Sequence, residues 1–131
     1  MYEYYNPNPY QMDTDDCTLR ALTIALNVDW YTAHVLMDNM AMQMGFISGD
    51  KKEVFFALLR QYGFEREAVP NTCPDCYTAE DFANEHFKGT YVLAFGNHVV
   101  AVKDGIIYDT WDSRKQIPHF YWHKKKEGEE S

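Results

Sequence analysis

The order of hydrophobic patterns along this 131-residue chain predicts an α+β fold, with N-terminal helices packed on a C-terminal antiparallel sheet. Apolar residues at helical spacing fill the first half, whereas short apolar segments typical of strands follow Gly89. The sequence has no internal repeat and no Gly/Ser-rich linker, and 46% of its residues are hydrophobic. We therefore expect a single domain over residues 1–123 and a mobile charged tail over residues 124–131.

The first half contains three predicted helices. They cover about Asp15 to Leu26, Trp30 to Met44 and Lys51 to Tyr62. Thr14 or Asp15 is the expected N-cap of the first helix, and Gly45 and Gly63 end the second and third. Cys17 then lies in the first turn of the first helix.

The second half contains a short helix and most of the predicted strands. Thr78 and Asp81 form a capping-box pattern that opens a helix ending near Phe87. Asp104 and Gly105 predict a two-residue hairpin turn. The predicted strands are Phe64 to Val69, Thr90 to Phe95, His98 to Lys103, Ile106 to Trp111 and Ile117 to Trp122. The first ten residues, rich in Tyr, Asn and Pro, predict an extended or turning arm.

The charge balance argues against some classes of partner. Asp and Glu number 20 against 12 Lys and Arg, which gives a formal net charge of -8. Lys124 to Lys126 is the one short basic run, so a general nucleic-acid binder is not expected. No apolar run is long enough for a membrane span, and the N-terminus lacks the pattern of a secretory signal. We expect a cytoplasmic protein with neither a nucleic-acid nor a membrane partner, whose cysteines are free, metal-bound or catalytic.

Three residues far apart in sequence predict a thiol-based active site. Cys17 begins a helix, where the helix dipole favours the thiolate. His98 begins a strand and can act as a general base. With Asp104 and Gly105 as turn residues, His98, Asp109 and Trp111 share one face of the hairpin, and Asp109 is a diagonal neighbour of His98. Asp112 has the opposite parity, so Asp109 is the preferred partner of the imidazole.

Gln11 is a candidate oxyanion donor. It stands six residues before Cys17 in the segment that enters the helix. Its side-chain amide and the backbone N–H of Cys17 can converge on the oxygen that becomes charged during acyl transfer.

These four residues, in this order, resemble the papain-like cysteine peptidase superfamily. The Gln-x5-Cys element with Asp16 before Cys17 is similar to bacteriocin-leader-processing peptidases, and Asp109-Thr-Trp111 parallels the Asn-Ser-Trp of the superfamily. Residues 16–22 and 105–112 also resemble small uncharacterised bacterial and phage proteins. The resemblance implies a papain-like fold, with Cys17 as nucleophile, His98 as base, Asp109 as orienting residue and Gln11 as oxyanion donor. It also implies that Trp111 shields the His–Asp hydrogen bond, and Trp111 and Asp16 are the residues expected to contact substrate.

Two features depart from that pattern or compete with it. The carboxylate of Asp16 stands beside the nucleophile and opposes thiolate formation unless Arg20, one turn later, engages it. Cys73 and Cys76 have the spacing of a zinc or redox pair, with His86 as a nearby third ligand. Zinc needs about four ligands, so a turn with two exposed thiols is the favoured interpretation and no metal is expected.

The sequence therefore predicts a cysteine peptidase that cleaves a peptide or isopeptide bond in a peptide or protein substrate without a cofactor. Two alternatives stay open. One is a non-catalytic protein-interaction module on the same fold. The other is a transferase or deamidase that uses the same triad, because acceptor choice depends on the shape of the cleft. The oligomeric state is left open.

Overall fold

A computed structural model describes residues 1–10, 16–47, 52–70 and 76–124. Within these ranges, four helices and a six-stranded sheet form an α+β fold, as the sequence predicts. The helices are α1 (Cys17–Ala25), α2 (Trp30–Met44), α3 (Lys52–Gln61) and α4 (Ala79–Glu85). The strands are β1 (Tyr2–Tyr4), β2 (Phe64–Ala68), β3 (Thr90–Ala94), β4 (Val99–Lys103), β5 (Ile106–Asp109) and β6 (Phe120–Lys124).

Local signals fix the ends of two helices. Asp29 caps α2 by accepting a hydrogen bond of 2.7 Å from the backbone N–H of Thr32, and Gly45 ends the helix at a φ of 84°. Thr78 and Asp81 form the predicted capping box at the start of α4. These ends agree with the sequence prediction because each depends on residues within one turn.

The sheet is mixed rather than purely antiparallel, which corrects the sequence prediction. Its strand order is β1-β5-β4-β3-β6-β2, and β1 runs parallel to β5. Tyr2 pairs with Ile107 and Tyr4 with Asp109, so part of the predicted N-terminal arm is an edge strand. The partners of β1 lie more than a hundred residues away, and no local pattern identifies such a pairing.

The two central strands β3 and β4 are largely buried on both faces, whereas the edge strands β1 and β2 are mostly exposed. Val92, Ala94, Val99 and Ala101 face a core built with α1, α2 and α3. The alternate residues on the same strands, including Leu93 and Val100, face a second core with α4. The fold therefore has three layers, because α4 covers the face that the three N-terminal helices leave free.

The hairpin of β4 and β5 has the predicted register. Ala101 pairs with Tyr108 and Val102 with Ile107. Asp104 and Gly105 have φ values of 52° and 78°, as a tight two-residue turn requires. The start of β4 and the end of β5 therefore lie side by side, near the N-terminal end of α1.

The C-terminal end of the sheet lies slightly further along the chain than the sequence predicts. β6 extends to Lys124, which pairs with Phe64, so this strand includes the first residue of the predicted tail. Residues 125–131 of that tail lie outside the described residues. Among the described helices, none combines the length and the apolar character that crossing a membrane requires.

Candidate active site

Cys17 is the first residue of α1, and its thiol is free and partly buried. Buried Ala21, Leu22 and Ala25 anchor the helix against the core. The sulfur is hydrogen-bonded to the imidazole of His98 and to the backbone N–H of Val99. Burial by itself raises the pKa of this thiol, but these two hydrogen bonds and the charges of His98 and Arg20 outweigh it, so the pKa lies below its ordinary value.

His98 lies directly before β4, with its ring between the thiol and a carboxylate. Its Nε2 donates a hydrogen bond of 2.8 Å to Oδ2 of Asp109, which leaves Nδ1 for the sulfur of Cys17. Burial lowers the pKa of His98, yet the hydrogen bonds to Asp109 and Cys17 and their negative charges raise it to about 9. The ring also stacks near Phe95, with centroids 5.9 Å apart.

Asp109 ends β5, and only 1% of its surface is exposed. Besides His98, it accepts hydrogen bonds from Ser113 Oγ at 2.9 Å and from the backbone N–H of Thr110 at 2.8 Å. Asp112, the alternative third member, is exposed and forms an ion pair of 2.7 Å with Arg114. The imidazole is therefore oriented by Asp109, the carboxylate that the hairpin parity favours.

Ser113 is a contributor that the sequence analysis does not identify. Its side chain is fully buried at 0% exposure and donates to the same Oδ2 atom that binds His98. In the sequence, the one hint of this role is a hydroxyl residue four positions after Asp109. This hint is weak, because the strand ends at Asp109 and the alternation of side chains along a strand does not predict where Ser113 points.

Arg20 and Asp16 form a buried ion pair next to Cys17. The guanidinium Nη1 lies 3.6 Å from Oδ1 of Asp16, as the one-turn spacing leads us to expect. Asp16 is the N-cap residue of α1 in place of the predicted Thr14 or Asp15, which lie outside the described residues, and its side chain makes no capping hydrogen bond. Its Oδ2 instead accepts a hydrogen bond of 3.1 Å from the indole Nε1 of Trp30.

The environment of Asp16 differs from the expected contact with substrate. The residue is 7% exposed, and its carboxylate faces Arg20, Trp30 and Asn8. A buried carboxylate that faces internal partners is poorly placed to contact an external ligand. Its surroundings favour a structural and electrostatic role.

Trp111 lies beside the imidazole and is partly open to solvent. Its ring centroid is 5.2 Å from that of His98, and 42% of the residue is exposed. One part of the indole therefore covers the imidazole while the rest stays accessible. This position suits both predicted roles of Trp111, shielding the His–Asp pair and contacting substrate.

The other predicted site residues are Gln11, Cys73, Cys76 and His86. Gln11 and Cys73 lie outside the described residues. Cys76 is disulfide-bonded, which corrects the expectation of an exposed free thiol and removes the sulfur as a thiolate ligand. His86 stacks on Phe82 at 3.9 Å. The described part of the chain contains no cluster of three or more His, Cys, Asp or Glu residues suited to a metal.

The charges of the site alternate in sign along a continuous chain of contacts. Asp16, Arg20, Asp109, His98 and Cys17 follow one another as anion, cation, anion, cation and ionisable thiol. Each cation lies between two negative groups, which stabilises a thiolate–imidazolium pair in a partly buried setting. Such a pair provides a nucleophile and a proton donor in one place.

No protein-family model, curated protein or solved structure matches this chain. The chemistry of the site is therefore inferred from its own geometry.

Proposed function

We propose that this chain is a thiol-dependent acyl-transfer enzyme, a cysteine peptidase that cleaves a peptide or isopeptide bond. The observation that carries the proposal is the imidazole of His98, which hydrogen-bonds at once to the thiol of Cys17 and to the buried carboxylate of Asp109. A structural cysteine is an uncharged thiol in apolar surroundings. Cys17 instead is hydrogen-bonded to His98, and the charges of His98 and Arg20 contribute to its lowered pKa.

In the proposed reaction, the Cys17 thiolate attacks the substrate carbonyl carbon and forms a carbon–sulfur bond. The tetrahedral oxyanion then collapses, the carbon–nitrogen bond breaks, and the imidazolium of His98 gives its proton to the departing amine. Neutral His98 next takes a proton from water. The resulting hydroxide attacks the thioester, the carbon–sulfur bond breaks, and the thiolate is restored beside an imidazolium.

The other parts of the site have supporting roles in this proposal. Asp109 fixes the imidazole so that Nδ1 faces the sulfur and stabilises its positive charge. The backbone N–H of Cys17, at the first position of a helix, and the side chain of Gln11 serve as oxyanion donors. We also propose that these residues have a papain-like arrangement. The support is that α1, the helix that begins with the nucleophile, packs on the sheet that carries the base.

Site-specific alkylation tests the proposal without knowledge of the substrate. The protein is first reduced with a phosphine so that all three of its cysteines are thiols, then treated with iodoacetamide and mapped by mass spectrometry. We expect Cys17 to react at least about tenfold faster than Cys76 at pH 6, because only a thiol of lowered pKa is ionised there. Equal rates at both residues would contradict the proposal and favour the non-catalytic interaction module.

A peptide library then identifies the reaction. Native protein and the Cys17→Ala variant are incubated with a mixture of peptides of known sequence, and the products are read by mass spectrometry. We expect new peptide termini with the native protein and none with the variant. Products that have instead exchanged an amine or lost a side-chain amide would replace the peptidase with a transferase or deamidase. Identical spectra for the two proteins would refute peptide hydrolysis.

A further inference from the structure

Among the residues that the structure describes, Arg20 is the one cation close to both acidic side chains of the site, Asp16 and Asp109. Its side chain is 5% exposed, with Nη1 at 3.6 Å from Asp16 and Nε at 4.0 Å from Oδ1 of Asp109. Nη2 lies 3.4 Å from the hydroxyl of Thr110. Nε and Nη1 make no hydrogen bond within the described parts of the chain, so these two atoms face the carboxylates as charges.

The position of Arg20 joins the two halves of the site. Asp16 and Cys17 belong to the start of α1, whereas Asp109 belongs to β5 and Thr110 follows it. A guanidinium stays charged at every ordinary pH, so it can attract both carboxylates at once without a hydrogen bond to either. Arg20 therefore links the helix that carries the nucleophile to the strand that orients the base.

The charge balance shows why this link matters for a thiolate. With Cys17 and His98 as an ion pair, Asp16, Arg20 and Asp109 bring the buried network to a net charge of −1. Without Arg20 the same network carries −2. An added buried negative charge is relieved most readily by protonation, and the thiolate beside Asp16 is one group that can take the proton.

We infer that Arg20 is a positioning residue that neutralises Asp16 beside the nucleophile while holding Asp109 toward His98, so that the Cys17 thiolate persists at neutral pH. This inference rests on the proposed function and names a residue on which that site depends. In the described part of the chain, the phenol of Tyr2 from β1 also faces this network of Cys17, His98, Asp16, Arg20 and Asp109, and it donates to the backbone oxygen of Asp109 at 3.3 Å. The direct charge of Arg20 also lowers the pKa of Cys17.

A double-mutant cycle tests this role. The four proteins are the native chain, Arg20→Gln, Asp16→Asn, and the double variant Asp16→Asn/Arg20→Gln. The readout is the pH midpoint at which Cys17 becomes reactive toward iodoacetamide. Asp16→Asn keeps an oxygen that accepts from Trp30, and the double variant restores the native net charge of the network.

We expect Arg20→Gln to raise the midpoint by about one pH unit or more, a loss of about tenfold in alkylation rate on the acid side. The double variant should return to within about half a unit of the native midpoint, because it no longer contains the unpaired carboxylate. A residue that only fills space would show no such rescue. The inference is overturned if Arg20→Gln keeps the native midpoint, or if the double variant is no better than Arg20→Gln.

Arg20→Gln leaves the buried carboxylate of Asp16 without a cation and Asp109 with His98 alone, and the variant can fail to fold, which circular dichroism will show. If Arg20→Gln does not fold, the pH midpoint of the double variant Asp16→Asn/Arg20→Gln, which keeps the native net charge, tests the inference by itself. A midpoint within about half a unit of native supports the inference, and a midpoint raised by about one unit or more overturns it. Slow alkylation of Cys17 in the native protein is a different result, because it contradicts the proposed function itself.

Discussion

Replacement of Asp109 by asparagine removes the charge that most directly supports the imidazolium. The variant keeps the shape of the side chain, and an amide oxygen in the position of Oδ2 can still accept from His98 and Ser113. The amide NH2 then replaces Oδ1 and cannot accept from the Thr110 N–H, so the variant loses the negative charge and one hydrogen bond. Burial lowers the pKa of His98, and in the variant the charge of Asp109 no longer counteracts that effect.

The expected size of the effect follows from the two pKa values. In the native protein the pKa of His98 is raised to about 9, so nearly every imidazole is charged at pH 7.5. In Asp109→Asn we expect the pKa to fall to 6.5 or below, the ordinary histidine value. At pH 7.5 at most about one imidazole in ten is then protonated, so the thiolate–imidazolium population falls about tenfold.

Two measurements check this prediction. Heteronuclear NMR of the ring nitrogens reports the pKa of His98, and iodoacetamide at pH 7.5 reports the thiolate at Cys17. Asp112→Asn is the matched control, since this exposed carboxylate pairs with Arg114 and should leave both readouts unchanged. If Asp109→Asn titrates like the native protein, or if Asp112→Asn produces the larger shift, the assignment of Asp109 is refuted.

Three further predictions concern the shielding ring, the pH dependence of stability and the core. Trp111→Ala should move the pKa of His98 from about 9 toward 6.5, because water weakens the interactions with Asp109 and Cys17 that raise this pKa by more than it relieves the burial that lowers it. Trp111→Phe should largely preserve the native pKa. Equal NMR titrations for the alanine variant and the native protein would contradict this prediction. Because folding raises the pKa of His98, its stabilising contribution is complete below pH 6.5 and is lost as pH rises through about 9. We therefore expect the difference in unfolding free energy between the native protein and Asp109→Asn, measured in urea, to become smaller between pH 6.5 and about 9. A difference that stays constant over this pH range would contradict the prediction. Phe55→Ala should lower the unfolding free energy by about 3–5 kcal/mol in the same assay, because the ring is fully buried. Val35→Ala, at an exposed position, should change it by less than about 0.5 kcal/mol. Similar losses for the two variants would refute the assigned core.

The elements that the sequence predicts well are those whose causes are local. The start of α2 depends on Asp29 and the backbone three residues later, and its end depends on Gly45. The β4–β5 register follows from the turn at Asp104 and Gly105. Because a hairpin turn determines which residues face each other, the proximity of His98 and Asp109 was also predictable from spacing alone.

The parts that were not predictable depend on contacts between distant segments. Pairing of β1 with β5 joins residues 2–4 to residues 107–109, and nothing near Tyr2 specifies that partner. Arg20 was expected to meet Asp16 one turn away, but its second partner, Asp109, lies 89 positions further along the chain. The bond from the Trp30 indole to Asp16 has the same origin, since it requires α1 and α2 to be packed before the two groups meet.

The acidic composition of the chain and the thiolate proposed at its centre are compatible because the relevant charges act at different distances. A formal net charge of -8 opposes any added negative charge, but solvent-exposed carboxylates beyond about 10 Å are largely screened at ordinary ionic strength. His98 and Arg20 act on Cys17 at close range within a partly buried site, where screening is weak. The pKa of the thiol therefore depends on the hydrogen bonds and charges inside the site rather than on the total charge. The inferred role of Arg20 follows the same reasoning, because its guanidinium offsets Asp16, the carboxylate that adjoins the nucleophile in the sequence.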